Sequence, residues 1–249
     1  MPQKSSTYHR WLRRLAWALG VGSVVAVAWL GWQWQARVAV SAVVVEGATH
    51  ADETKLADLA RVDSGATLYD VDPDFVADRV QRHPWVETAS VTRRPTGTLR
   101  IAVTERTPAG LALEDGTPAF YVDRDGFPMP LVEETVHDVP LIYGLDGDHH
   151  PTRPVEPSTL RALLHALDEE PEHDRIAEIT VRSGGSLDVH TRPTDAQGAI
   201  RVRLGTEAYA ERLRELDAFW EQAVQARPDV TFEQIDLRFD DQIVARHDE

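Results

Sequence analysis

Residues 15–36 form a run of 22 positions without one ionisable side chain, bracketed by Arg14 and Arg37. A helix rises about 1.5 Å per residue, so this length crosses a hydrocarbon core of roughly 30 Å. A segment this apolar cannot be left in water, and a helix satisfies its own backbone polar groups in lipid. Leu15, Val24, Val27 and Leu30 are read as anchor residues of that span. Trp11 and Trp17 stand near one end and Trp29, Trp32 and Trp34 near the other, which suits an aromatic belt at each interface. Lys4, Arg10, Arg13 and Arg14 all precede the run and only Arg37 follows closely. The positive-inside rule therefore expects residues 1–14 in the cytoplasm and the bulk of the chain on the far side. A cleaved signal peptide is the alternative, with Val40-Ser41-Ala42 as its small-residue site. The length of the apolar run, and the bulky Trp and Gln residues between it and that site, favour a retained anchor.

Four of the 26 basic residues and none of the 41 acidic ones lie in residues 1–36, so the remainder carries 22 against 41, a formal charge of −19. Nothing there resembles a basic patch for nucleic acid, and repulsion by anionic headgroups should hold the bulk off the bilayer. The chain has no cysteine, hence no disulfide framework and no thiolate metal site. Lysine occurs only at positions 4 and 55; no function is drawn from this arginine richness.

Beyond the span, residues 38–45 are β-branched and nearly continuous, a strand stopped at Gly47. Residues 51–62 carry Leu56, Leu59 and Ala60 at helical spacing, with Asp52 as a cap. Asp72-Pro73 opens a second helix with proline in the tolerated first turn and Phe75, Val76 and Val80 on one face. Residues 86–93 and 98–105 alternate and meet through Pro95-Thr96-Gly97, a hairpin signal. The order is β-α-α-β-β over 38–106. Thr107-Pro108 is the expected boundary to a second region, 107–249. Strands are expected there at 109–113, 119–123 and from 127, turned at Asp115-Gly116 and Asp125-Gly126. A helix at 158–169 follows, then strands at 176–182, 186–191 and 200–204, and a long amphipathic helix at 206–225. Two last strands are read at 231–239 and 242–246. The fold class is α+β: an N-terminal transmembrane helix (15–36), the β-α-α-β-β module, and a mostly antiparallel β region with two helices.

A short tail, one span and these two modules resemble the bacterial cell-division family FtsQ/DivIB. The resemblance rests on Val45-Glu46-Gly47, Pro84-Trp85-Val86, Val91-Thr92-Arg93-Arg94-Pro95 and Thr104-Glu105-Arg106-Thr107-Pro108. Val122-Asp123-Arg124-Asp125-Gly126, Val139-Pro140-Leu141-Ile142-Tyr143-Gly144 and Ile235-Asp236-Leu237-Arg238-Phe239 complete it. Each motif is weak alone; order and spacing from 38 to 246 carry the likeness. It implies that 38–106 is a POTRA domain and 107–249 the FtsQ-type β domain. It further implies a non-catalytic divisome protein of the inner membrane, type II, at the division septum. Its partners would be FtsB and FtsL in the periplasm, with FtsK, FtsW, FtsI and FtsN as further division proteins, and no cofactor.

Pro84-Trp85-Val86 has a structural explanation first: proline stops the helix, tryptophan covers the module's core, and valine opens the strand. Arg93-Arg94 and Glu105-Arg106 are expected to pair across the hairpin or to face solvent. Ile235, Leu237 and Phe239 alternate with Asp236, Arg238 and Asp240, as on a strand with one buried face. Asp240-Asp241 offers a turn, and the last strand is expected at a sheet edge, open to a partner strand. The family match then predicts that Phe239, Ile243, Val244 and Arg246 contact FtsB, whereas Ile235 and Leu237 fill the core. Phe239 keeps the ring of the tyrosine common in the family but lacks its hydroxyl, and Glu249 leaves little tail to wrap a partner.

Enzymatic readings find little support. Asp146, Asp148, His149 and His150 lie together but lack a second ligand pair. Asp123-Arg124-Asp125-Gly126, with Glu134 at the twelfth position, resembles a calcium loop, but Phe127, Pro128 and Pro130 break the pattern and favour a hairpin turn. No Ser-x-x-Lys, His-Glu-x-x-His or Gly-x-Ser-x-Gly occurs. A POTRA-bearing assembly factor with its own transmembrane barrel is disfavoured by chain length and by the helical span.

Overall fold

The computed structural model describes residues 6–35, 37–63, 65–132, 135–145, 149–169, 174–239 and 242–247. It divides into two compact units, the first made of Met1–Ala48, Asp52–Val80 and Thr88–Val103, the second of Thr49–Ala51, Gln81–Glu87 and Thr104–Glu249. The architecture is α+β, as the hydrophobic patterning implies.

The first unit opens with helix α1, Ser6–Gln35. Within it, Trp11–Gln33 is long and apolar enough to cross a membrane, and none of it is buried by protein. Leu15, Val24, Val27 and Leu30 are all exposed. In water that surface would be costly; in lipid it is the expected state. Strand β1 (Ala42–Glu46), helices α2 (Glu53–Ala60) and α3 (Pro73–Val80), and strands β2 (Val86–Arg94) and β3 (Thr98–Glu105) follow. The sheet order is β1-β3-β2, with β1 parallel to β3 in the register Ala42↔Thr98 to Glu46↔Ala102. Asp52 caps α2 by accepting from the Thr54 amide at 2.8 Å, and Asp72 does the same for α3 with Asp74 at 3.0 Å. Gly47 has φ +89, and a Cβ there would run into the Val103 carbonyl, so the strand must end on glycine. Leu56, Leu68, Val76, Val80, Leu99 and Ile101 are buried.

Three local expectations change in this part of the chain. Only residues from Ala42 onward join β1; Val38 and Val40 instead exchange backbone hydrogen bonds with Gly65, Ala66 and Leu68. A β-branched run signals extended chain without naming the partner. Phe75 does not share the buried face of Val76 and Val80: it is 59% exposed, with the Arg79 guanidinium 4.9 Å from its ring centroid. Trp85, although it lies inside the β-α-α-β-β stretch and is buried, does not group with the first unit. It belongs to the second unit, where its indole N–H donates to the Pro130 carbonyl at 3.1 Å. A buried indole needs an acceptor, and that acceptor lies there.

The second unit adds β4 (Pro108–Glu114), β5 (Thr117–Asp123), β6 (Pro128–Pro130), β7 (Leu141–Tyr143), α4 (Ser158–Glu169), β8 (Ile176–Val181), β9 (Leu187–Thr191), β10 (Arg201–Gly205), α5 (Tyr209–Phe219), β11 (Phe232–Phe239) and β12 (Gln242–His247). They form one nine-stranded sheet in the order β12-β11-β10-β9-β8-β7-β4-β5-β6. Most pairings are antiparallel, but β7 is parallel to both β4 and β8, and β10 is parallel to β11. The Asp115-Gly116 hairpin has both residues at positive φ, 49 and 77, as a two-residue turn demands. Leu160, Leu163 and Leu164 of α4 and Leu213 and Leu216 of α5 share one core with Ile179, Val189, Val202, Ile235 and Leu237. The long helix read at 206–225 is shorter and changes pitch: α5 passes into a π turn at Trp220–Val224, closed by the Gln225 amide on the Trp220 carbonyl at 2.9 Å. Gly144 follows β7 at φ +77, against the Val181 carbonyl.

Glu105 and Arg106 have partners that the hairpin reading did not anticipate. The Glu105 carboxylate accepts from the amides of Thr49 and Ala51, each at 2.8 Å, and of His50 at 2.9 Å. Arg106 donates to the buried Asp123 at 2.6 Å and lies 4.2 Å over the Phe127 ring. Asp123 also accepts from the Phe127 amide at 2.7 Å, closing the turn between β5 and β6 as a hairpin.

Candidate partner-binding edge

The chain ends its sheet on β12, hydrogen-bonded on one side only. Its partner β11 is antiparallel, with Gln234↔Arg246, Ile235↔Ala245, Asp236↔Val244 and Phe239↔Gln242 in register. The turn expected at Asp240-Asp241 lies outside the described residues. Alternate N–H and C=O groups of an antiparallel edge strand point away from the sheet and remain free for another chain.

Alternation along the strands sorts the four predicted contact residues. Ile235 and Leu237 are buried, as expected, and Ile243 and Ala245 sit beside them, half-buried against the same core. Val244, 38% exposed, and the exposed Arg246 occupy the opposite face. Phe239 is 50% exposed, and a register irregularity between Asp236 and Phe239 takes it out of strict alternation. The Arg238 guanidinium lies 5.8 Å from its ring centroid. The edge thus brings together an apolar margin on the core face and Val244 with Arg246 on the other.

The face carrying Val244 holds residues that motif reading passed over. Asp236, opposite Val244, is only 5% exposed and accepts from Arg238 at 2.8 and 2.7 Å and from Arg203 at 3.3 Å. Two strands further in, on β9, buried Asp188 accepts from Arg201 at 2.6 Å and from Arg182 at 3.0 Å. Four guanidinium groups therefore cover two carboxylates, an excess of positive charge in a strongly acidic region. The Arg238 side chain, more than the opposing effect of burial, holds the Asp236 carboxyl below the usual carboxylate range. The alternation Arg201-Val202-Arg203 and Asp236-Leu237-Arg238 was visible; that β10 lies parallel beside β11 was not.

The far edge, β6, differs sharply. It has three residues, two of them proline, and proline offers no N–H to a new strand. Elsewhere, His149 packs against Phe120 at 4.5 Å between ring centroids, and His150 lies beside Thr152. Asp146, Asp148 and Glu134, the remaining members of the two weighed metal patterns, lie outside the described residues. Among the described residues, no group of three or more His, Cys, Asp or Glu could hold a metal ion.

Comparison with known proteins bears on the whole chain. The family model described as POTRA domain, FtsQ-type, matches residues 38–106, and that described as FtsQ/DivIB, C-terminal related, matches residues 111–246. Cell division protein FtsQ of Rhodothermus marinus is 47% identical over 249 residues, covering 99% of this chain and 90% of that protein. Cell division protein FtsQ of Salinibacter ruber is 44% identical over 249 residues, covering 98% and 96%. With both modules matched in order, and relatives nearly half identical from end to end, the chain belongs to the FtsQ family of cell division proteins.

Proposed function

We propose that this protein is a divisome scaffold of the inner membrane, held by α1 with its N-terminus in the cytoplasm and its bulk in the periplasm at the septum. Residues 38–106 act as the POTRA domain and 107–249 as the β domain that captures FtsB, with FtsL, by strand addition at β12. It performs no chemistry of its own; it links early and late division proteins and so controls septal peptidoglycan synthesis by FtsW and FtsI, with FtsK and FtsN as further contacts. The observation that carries this reading is the asymmetry of the nine-stranded sheet, open along six residues at β12 and closed by prolines at β6. Family membership supports the division role, and the basic excess around Asp188 and Asp236 favours an acidic partner segment. Phe239, Val244 and Arg246 would meet that segment from solvent, and Ile243 from the apolar margin. Capture of FtsB and FtsL by the full chain in detergent tests the reading. Co-purification of both, with filamentous cells on depletion, is expected; normal division with diffuse envelope signal would sink it.

A further inference from the structure

Two histidines and two aromatic rings converge in the second unit, away from β12. His50 stacks on Trp85, with centroids 4.7 Å apart and planes at 19°. His137 stands edge-on to Tyr121 at 5.2 Å and lies 5.4 Å from His50 and 6.2 Å from Trp85. His50 comes from Thr49–Ala51 and Trp85 from Gln81–Glu87, two short segments inside the stretch of sequence that otherwise builds the first unit. Tyr121 belongs to β5, and its hydroxyl links the Thr135 carbonyl and the His137 amide, each at 3.4 Å.

We infer that His50, Trp85, Tyr121 and His137 form an acid-labile clasp, which holds Thr49–Ala51 and Gln81–Glu87 in place while His137 is neutral and loosens when it takes up a proton. The titratable groups around it explain the direction. Glu105 is consumed by the amides of residues 49–51 and by His50 Nδ1 at 2.8 Å, so any charge on His50 has its counter-ion. His137 has none among the described residues. Its Nε2 is buried without a hydrogen-bond partner, and the neighbouring Asp138 is turned outward to Arg192 at 2.8 Å. His83 accepts from the Trp85 amide on its Nδ1 at 3.3 Å. A proton on His137 would thus place a cation with no counter-ion among the described residues beside a second imidazole. Burial first, and His50 second, hold the His137 pKa below its ordinary 6.5. Freed from these neighbours, the His137 imidazole takes a proton near 6.5, so the clasp is complete above that value and is lost as pH falls through the lowered one.

Hydrogen exchange of the full chain in nanodiscs, corrected for intrinsic rates, tests this between pH 8 and 5.5. Protection of residues 49–51 and 81–87 should fall with acid by at most about tenfold per pH unit, the limit for one proton, while β8–β10 stay protected. His137→Phe should flatten that profile. Wild-type protection independent of pH would overturn the clasp without any substitution, as would His137→Phe with an unchanged profile. His137→Leu provides the same test should the phenylalanine variant not fold.

Discussion

Glu105 and Arg106 are neighbours in the chain with separate partners. Glu105 gathers the amides of Thr49, His50 and Ala51, and Arg106 fixes Asp123 beneath the turn between β5 and β6. Burial tends to raise the Glu105 pKa, but those amide bonds, with the His50 side chain, more than offset it and hold the carboxyl below its ordinary 4.5. Its contribution is therefore complete above about pH 4.5 and is lost as pH falls through the lowered value. Glu105→Gln should lower stability at neutral pH by about 1–3 kcal/mol in chemical denaturation and remove that part of the acid loss. Asp236→Ala uncovers Arg203 and Arg238 together. It should cost about 1–3 kcal/mol in the same measurement, more than a solvent-exposed pair would, because the carboxylate is buried and hydrogen-bonded twice over.

At the scale of elements, an edge strand works through its backbone, so the sharpest change is one that removes an N–H. Ile243→Pro should abolish capture of FtsB while exchange protection in β1–β3 stays as in the wild type; undiminished capture would remove β12 as the site. Side chains then adjust affinity. Arg246→Glu should weaken capture by roughly tenfold at low salt and by less at high salt, because an exposed charge acts through screened attraction. Most elements were legible from period and punctuation: the Asp52 cap and the helix start at Asp72-Pro73 in the first unit, the Asp115-Gly116 hairpin and the two helices over the second core. Strand β7 was not. Its three residues are too few to show a period, yet it bridges β4 and β8 by parallel pairing. The π turn after α5 was equally hidden, since Trp220 and Val224 keep helical spacing through it.

For the whole molecule, orientation is the quantity to measure. The absence of cysteine makes the chain its own background for labelling. In intact spheroplasts, an impermeant maleimide should label Ser183→Cys and leave Ser5→Cys unlabelled until the membrane is opened; the reverse pattern would invert the topology. Ser183 is exposed, so its accessibility depends only on the side of the membrane.

Hydrophobic length and charge order determined the anchor without any fold, because a lipid core reads only apolar span and flanking cations. Local periodicity likewise determined the α+β class and that Ile235 and Leu237 of β11 face inward, since alternation is a property of one strand, although the register irregularity took Phe239 out of it. What only the tertiary structure decided was which groups meet across long sequence separations. Trp85 found its acceptor at Pro130, Glu105 its donors at 49–51, and Arg203 its carboxylate at Asp236. Strand order made β12 an edge and brought β10 beside β11, and that order is fixed by packing a shared core. No local pattern encodes it, because each strand's sequence specifies a face to bury and leaves its neighbours unnamed.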